Sequence, residues 1–166
     1  LSAFCPNDYQ YTEIKNFHGA IGVKEDGTVE GVDIIVPSFK FTIQKSFPNS
    51  DITTTFRQAI AGLTGKVNEA AFWGYSAGEV LFTGASGQRY GNGDWQITFS
   101  FLQSPTQYNK VLAGVTISEK KGWEYVWIHY KKLNQTLDEV PANLFVERVY
   151  EEADFSVLNL GEPNNV

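Results

Sequence analysis

Methionine is absent from all 166 residues, including position 1. A translated polypeptide starts with methionine, so Leu1 is expected to be an internal residue of a longer product. Cysteine occurs once, as Cys5, which excludes an internal disulfide and a thiolate metal cage. The two histidines, His18 and His129, have no second histidine three to five residues away. A zinc site would therefore need scattered carboxylates, and His129, set among aromatics, reads as a hydrogen-bonded core residue. Positive charge comes in pairs (Lys120–Lys121, Lys131–Lys132) rather than patches, and the net charge is −6. A surface for sequence-specific nucleic-acid binding needs clustered Lys and Arg, so none is expected. The apolar runs are too short for a membrane span, and no charged-then-apolar signal peptide opens the chain.

What is present is a folding composition: 42% hydrophobic, 19% charged and 14% aromatic residues. That mixture can bury a core, and aromatics beside Thr, Val and Ile favour strands. The length suits one core. Residues 1–17 lack a period and carry Pro6, Asn7, Asp8 and Asn16, the composition of an N-terminal arm or linker. A single β-rich domain is expected over 18–160, with a tail at 161–166.

Within that span, Gly19–Lys24 and Glu30–Val36 read as strands, the second ended by Pro37. Phe39, Phe41 and Ile43 alternate with Lys40, Thr42 and Gln44, the period of a half-buried strand. Asn49, Ser50 and Asp51 are capping residues ahead of Ile52, Phe56, Ile60 and Leu63 at helical spacing. One helix is predicted over about 51–64, closed by Gly65. Strands are predicted again at Glu79–Ala85 and Asp94–Gln103, paired through a tight Asn92–Gly93 turn. Trp95, Ile97, Phe99 and Phe101 then face the core against Phe56, Ile60 and Leu63, with Gln96, Thr98 and Ser100 on the other side. Further strands are predicted at Val111–Ser118, at Gly122–Lys132 with both faces covered, and, after Pro141, at Asn143–Tyr150. The chain from Glu151 reads as irregular. The fold class is mainly β: an antiparallel β-sandwich or barrel-like sheet with one packed α-helix.

Gly74–Tyr75–Ser76–Ala77–Gly78 matches G-x-S-x-G, the turn that exposes a nucleophilic serine in α/β-hydrolases, and Ser76, Asp94, His129 follow that triad's order. The motif requires a helix next, yet Glu79–Val80–Leu81–Phe82–Thr83 reads as a strand, so a glycine-flanked turn is the expectation. The stretch Gly84–Gly93 fits neither G-x-G-x-x-G nor a P-loop and reads as a hairpin loop. Asp33, Asp94 and Asp138 suit turns and caps. Glu147, Glu151 and Glu152 form a solvated acidic cluster, with weak calcium binding as the minor reading. Trp73, Tyr75, Trp95, Trp123, Tyr125 and Trp127 suit core or interface packing, or stacking on sugars. Asn134–Gln135–Thr136 fits a glycosylation sequon. No catalytic, cofactor-binding or metal residue is assigned.

Several long strings carry a resemblance. Phe17–Val36 (FHGAIGVKEDGTVEGVDIIV), Ala61–Asn68, Ala77–Ser100 (AGEVLFTGASGQRYGNGDWQITFS), Lys121–Tyr130 (KGWEYVWIHY) and Phe145–Phe155 (FVERVYEEADF) resemble a phage-like family without an assigned role, encoded in bacterial genomes. In that family the strings form the C-terminal part of a longer polypeptide; residues 1–16 do not match. The resemblance implies a virion or virion-like particle, assembled in the bacterial host cytoplasm, and no mechanism. Its partners would be further copies of itself and other virion proteins. The expected function is a non-enzymatic tail or neck component forming rings or tubes. The alternative is a carbohydrate- or surface-binding β-sandwich module using Trp73, Tyr75, Trp95 and the Gly84–Gly93 loop.

Overall fold

Alternation of apolar and polar residues builds the central sheet. The fold comes from a computed structural model that describes residues 38–112, 114–132 and 139–161, with the side chains of 112, 127–132, 139–143 and 145 left aside. Strand β1 (Phe39–Phe47) is followed by helix α1 (Thr54–Leu63), β2 (Val67–Asn68), β3 (Val80–Arg89) and β4 (Trp95–Gln103). Then come β5 (Gln107–Leu112), β6 (Val115–Lys120), β7 (Glu124–Lys132), β8 (Glu139–Arg148), β9 (Glu152–Ala153) and a 3-10 turn at Phe155–Leu158. The class is mainly β with one packed helix, as expected. The chain forms two compact units: one of Pro37–Tyr108, Glu119–Glu124 and Arg148–Val166, the other, in its described part, of Asn109–Ser118 and Tyr125–Glu147. The expected span 18–160 threads through both. The strands predicted at Gly19–Lys24 and Glu30–Val36, the arm at 1–17, Cys5, His18 and the Asn134 sequon lie outside the described residues.

The first unit holds a five-stranded sheet in the order β1-β4-β3-β2-β9. β4 pairs antiparallel with β1 along its whole length and with β3 on its other side. On one face Ile43, Phe47, Ile97, Phe99, Phe101, Val80 and Phe82 are buried, and Ile52, Phe56, Ile60 and Leu63 of the helical segment pack against them. The predicted register of β4 is the observed one. The Phe82 ring lies 6.3 Å from that of Phe99 and 5.3 Å from that of Phe101, centroid to centroid. Burying each is worth roughly 1.5–3 kcal/mol.

Four local expectations are corrected. The helix starts later than predicted: Thr53 is the cap, its hydroxyl accepting from the Phe56 amide at 3.1 Å, because Pro48–Asp51 is already closed as a turn by the Asp51 amide on the Pro48 carbonyl. In the β3–β4 loop Gly91 (φ 57°), not Asn92–Gly93, takes the positive φ, and the Gly93 amide donates to the Tyr90 carbonyl. Positive φ at the first central position alone marks a II′-type turn. The stretch 111–118 is two strands, β5 and β6, turning at Gly114. β8 begins at Glu139 and contains Pro141; among the described residues its ribbon has two strands, and an edge strand tolerates a missing N–H.

The largest departure lies in the C-terminal segment, expected to be irregular. β9 pairs parallel with β2. Asp154 caps the 3-10 turn through the Ser156 amide at 2.8 Å. That turn buries Phe155 and Leu158 in the main core, with Phe155 edge-on to Phe72 at 5.3 Å.

Candidate functional site

Asn68 organises the loop that contains the serine motif. It is buried in β2, and its side-chain amide donates to the carbonyls of Ala70 (2.7 Å) and Ser76 (2.9 Å). Its side-chain oxygen accepts from the Val80 amide at 2.8 Å, and its backbone carbonyl accepts from Gly78 at 2.7 Å. Such a satisfied buried amide fixes a loop firmly, because an orphaned partner would cost about 1–3 kcal/mol. Upstream, Phe72 and Tyr75 exchange two 3.0 Å backbone bonds, with Trp73 (φ 51°) and Gly74 (φ 81°) between them. The left-handed region is unfavourable for a tryptophan by about 1–2 kcal/mol. Its indole N–H holds it there by donating to the Gly161 carbonyl at 2.8 Å.

The serine motif is therefore a small hairpin feeding a strand. Ser76 is exposed, and its amide donates to the Glu79 carboxylate at 3.0 Å. Asp94 sits at the other end of the β3–β4 hairpin, where Arg89 pairs with Trp95. The ten residues of β3 run between the two ends, about 30 Å at strand rise, so Ser76 and Asp94 cannot share a proton relay. The side chain of His129 lies outside the described residues.

Glu79 joins the segments that meet at the start of β3. Its carboxylate also accepts from the Thr106 amide at 2.7 Å, and its carbonyl accepts from the Ser104 amide and the Trp123 indole, both at 2.9 Å. Gly122 is required here: a Cβ at this position would lie 1.8 Å from the Ser104 carbonyl oxygen. Trp123 stands edge-on to Tyr150 at 5.8 Å. These two line a shallow recess with Val67, Gly78, Lys121, Glu124, Arg148 and Glu152.

The acidic cluster is not simply solvated. Lys66 bridges Glu151 at 2.8 Å, while Glu152 faces Arg148 at 3.1 Å and Lys121 at 3.6 Å. The Lys66 ammonium, by hydrogen bond and charge, holds the Glu151 carboxyl below the usual carboxylate range. Hydrogen bonds from Ser156 do the same for Asp154. Among the described residues no three His, Cys, Asp or Glu side chains gather as a metal-binding group, and no helix is long and apolar enough to cross a membrane.

The three rings named for sugar stacking do not form one platform. Trp73, Tyr75 and Trp95 are each half-buried against the core. Tyr75 packs on Phe41 at 5.6 Å, whereas Trp95 lies opposite Phe47 and donates to Asn49 Oδ1 at 3.1 Å. Six strand residues, about 20 Å, separate those places. Most of the Gly84–Gly93 stretch is strand; the loop is Tyr90–Asp94 alone. Tyr90, which no sequence period marks, is the most exposed large ring there, at 74%.

Two open features remain on this unit. β1 is the edge of the sheet among the described residues, and Phe39 at its start is 57% exposed. The second is the sheet face turned away from α1. Comparison with protein-family models, curated proteins and solved structures returned no match.

Proposed function

We propose that this chain is a non-enzymatic assembly component that associates through the edge of its main sheet, as a tail or neck part of a phage-like particle would. The particle context comes from the resemblance in sequence; the association comes from β1. A nine-residue strand at a sheet edge carries a row of backbone donors and acceptors ready for another strand. Proteins blunt such edges with lysine, but Lys45 is occupied, its ammonium bound to the Asn159 carbonyl and set 5.3 Å from the Phe47 ring centre. Only Lys40 guards the strand. The stack Phe39–Phe41–Phe101, with centroids 6.1 and 5.1 Å apart, ends in the exposed Phe39 ring. That ring is the single observation favouring an edge partner, since an added strand would cover it.

Light scattering at increasing concentration, followed by electron microscopy, tests the reading. The chain should form symmetric oligomers, and Phe39→Lys should dissociate them while leaving the circular dichroism spectrum unchanged. A strictly monomeric chain, absent from any particle, would overturn it.

A further inference from the structure

We infer that the outer face of the sheet, at the end carrying the Tyr90–Asp94 loop, binds a neutral, hydroxyl-rich polymer: an uncharged glycan chain. This inference does not rest on the assembly reading.

The face is created by a bulge. The β3 register shifts between Phe82 and Gly84, and Thr83, the extra residue, donates its hydroxyl to the Ser100 carbonyl at 3.0 Å. A bulge of this kind changes which residues point to each side. Before it, Val80 and Phe82 face the core; after it, Ser86 and Gln88 join the outer side. Three cross-strand ranks result: Thr42–Ser100–Gly84, Gln44–Thr98–Ser86 and Ser46–Gln96–Gln88. Thr42, Gln44, Ser46, Ser86 and Gln88 are exposed, and Gln96, Thr98 and Ser100 half-buried.

None of these nine positions carries a charge, where a solvated surface of that size would carry about two or three. Hydroxyls and primary amides both donate and accept hydrogen bonds, as sugar hydroxyls do, whereas an ionic ligand would find no counter-charge within these three ranks, Lys40 lying one rank beyond them and Asp94 at the end of the loop. The pattern repeats at about 6.8 Å along the strands and about 4.8 Å across them, so an extended polymer meets equivalent groups in succession.

Tyr90 supplies the apolar part. Its hydroxyl donates to Gln88 Oε1 at 3.3 Å, which ties the exposed ring to the end of this face. An amphipathic ring with one wet side is suited to stacking on the C–H face of a sugar. The stem beneath is already set: Asn49 Oδ1 accepts from Arg89 Nη1 at 2.8 Å as well as from Trp95, and Arg89 Nε donates to the Gly93 carbonyl at 2.9 Å. Preorganisation of that kind lowers the ordering cost of binding. It also engages the Arg89 charge away from the outer face.

Affinity electrophoresis of the full chain through hydroxyethyl cellulose, mannan, galactan and dextran tests the inference. At least one should retard the chain, and the retardation should survive about 0.5 M salt, which screens ion pairs. Tyr90→Ala should weaken it roughly tenfold, the size of a lost aromatic anchor. Thr98→Arg should abolish it, with both variants keeping the native melting transition. Lack of retardation in all four gels, or retardation unchanged in both variants, overturns the inference. So does dissociation of an oligomer by Thr98→Arg without any glycan effect, which would make this face an interface between copies.

Discussion

On β4, residues next to one another in sequence serve two different faces. Ile97, Phe99 and Phe101 are buried, whereas Gln96, Thr98 and Ser100 stay partly open. The inner face is closed by α1 and by the C-terminal 3-10 turn, and its aromatic contacts are dense. The outer face has hydroxyls and amides across three strands and, among the described residues, stays exposed at Gln44, Ser46, Ser86 and Gln88 near its loop end. Stability is therefore concentrated on one side of a single strand, and the other side is left free to change without unfolding the protein. A face with little energetic duty is where recognition can reside.

Phe99→Ala should give the largest loss, about 3–5 kcal/mol in chemical denaturation, from lost burial and a cavity between Phe47 and Phe82. That is a large share of a domain's typical ~5–15 kcal/mol. Leu158→Ala should cost about 2–5 kcal/mol by the same measurement, because Leu158 is fully buried against the inner face. A near-zero effect would show that the C-terminal segment only lies over the core and does not complete it.

Thr98→Ala should change stability by no more than about 0.5 kcal/mol. A loss equal to that of Phe99→Ala would break the two-face comparison and the β1–β4 register with it. The smallest effect should be electrostatic. Glu151 is lowered by Lys66, so its contribution is present above the ordinary carboxylate value and lost as the pH falls through the lower native one. Melting curves of the native chain and of Glu151→Gln should differ slightly at neutral pH and start to converge only as the pH falls below the ordinary glutamate value of about 4.3.

Where the apolar pattern had a period, it was legible. The β1 alternation, the helical stripe Phe56–Ile60–Leu63 and the two faces of β4 all follow from side-chain spacing in regular backbone. Turn chemistry was legible only in kind. Glycine and asparagine marked the β3–β4 loop, but the choice of Gly91 depended on a five-residue connection between Arg89 and Trp95 that local preference does not set. Asn68 and Tyr90 carried no signal: one is defined by its backbone partners up to twelve residues on, the other by its exposure.

The sequence by itself determined that this protein is mainly β with one amphipathic helix, and which side of β1 and β4 is apolar, because periodicity is a property of neighbouring residues. Tertiary structure alone decided three further matters. It placed Phe155 and Leu158 in the core, since two residues of parallel pairing and a 3-10 turn are too short to leave a period. It set Ser76 and Asp94 at opposite ends of a hairpin, since separation in space follows from strand direction rather than motif order. It also assembled the three uncharged ranks of the outer face from β1, β3 and β4, since a one-residue bulge at Thr83 reverses the parity of every β3 side chain after it.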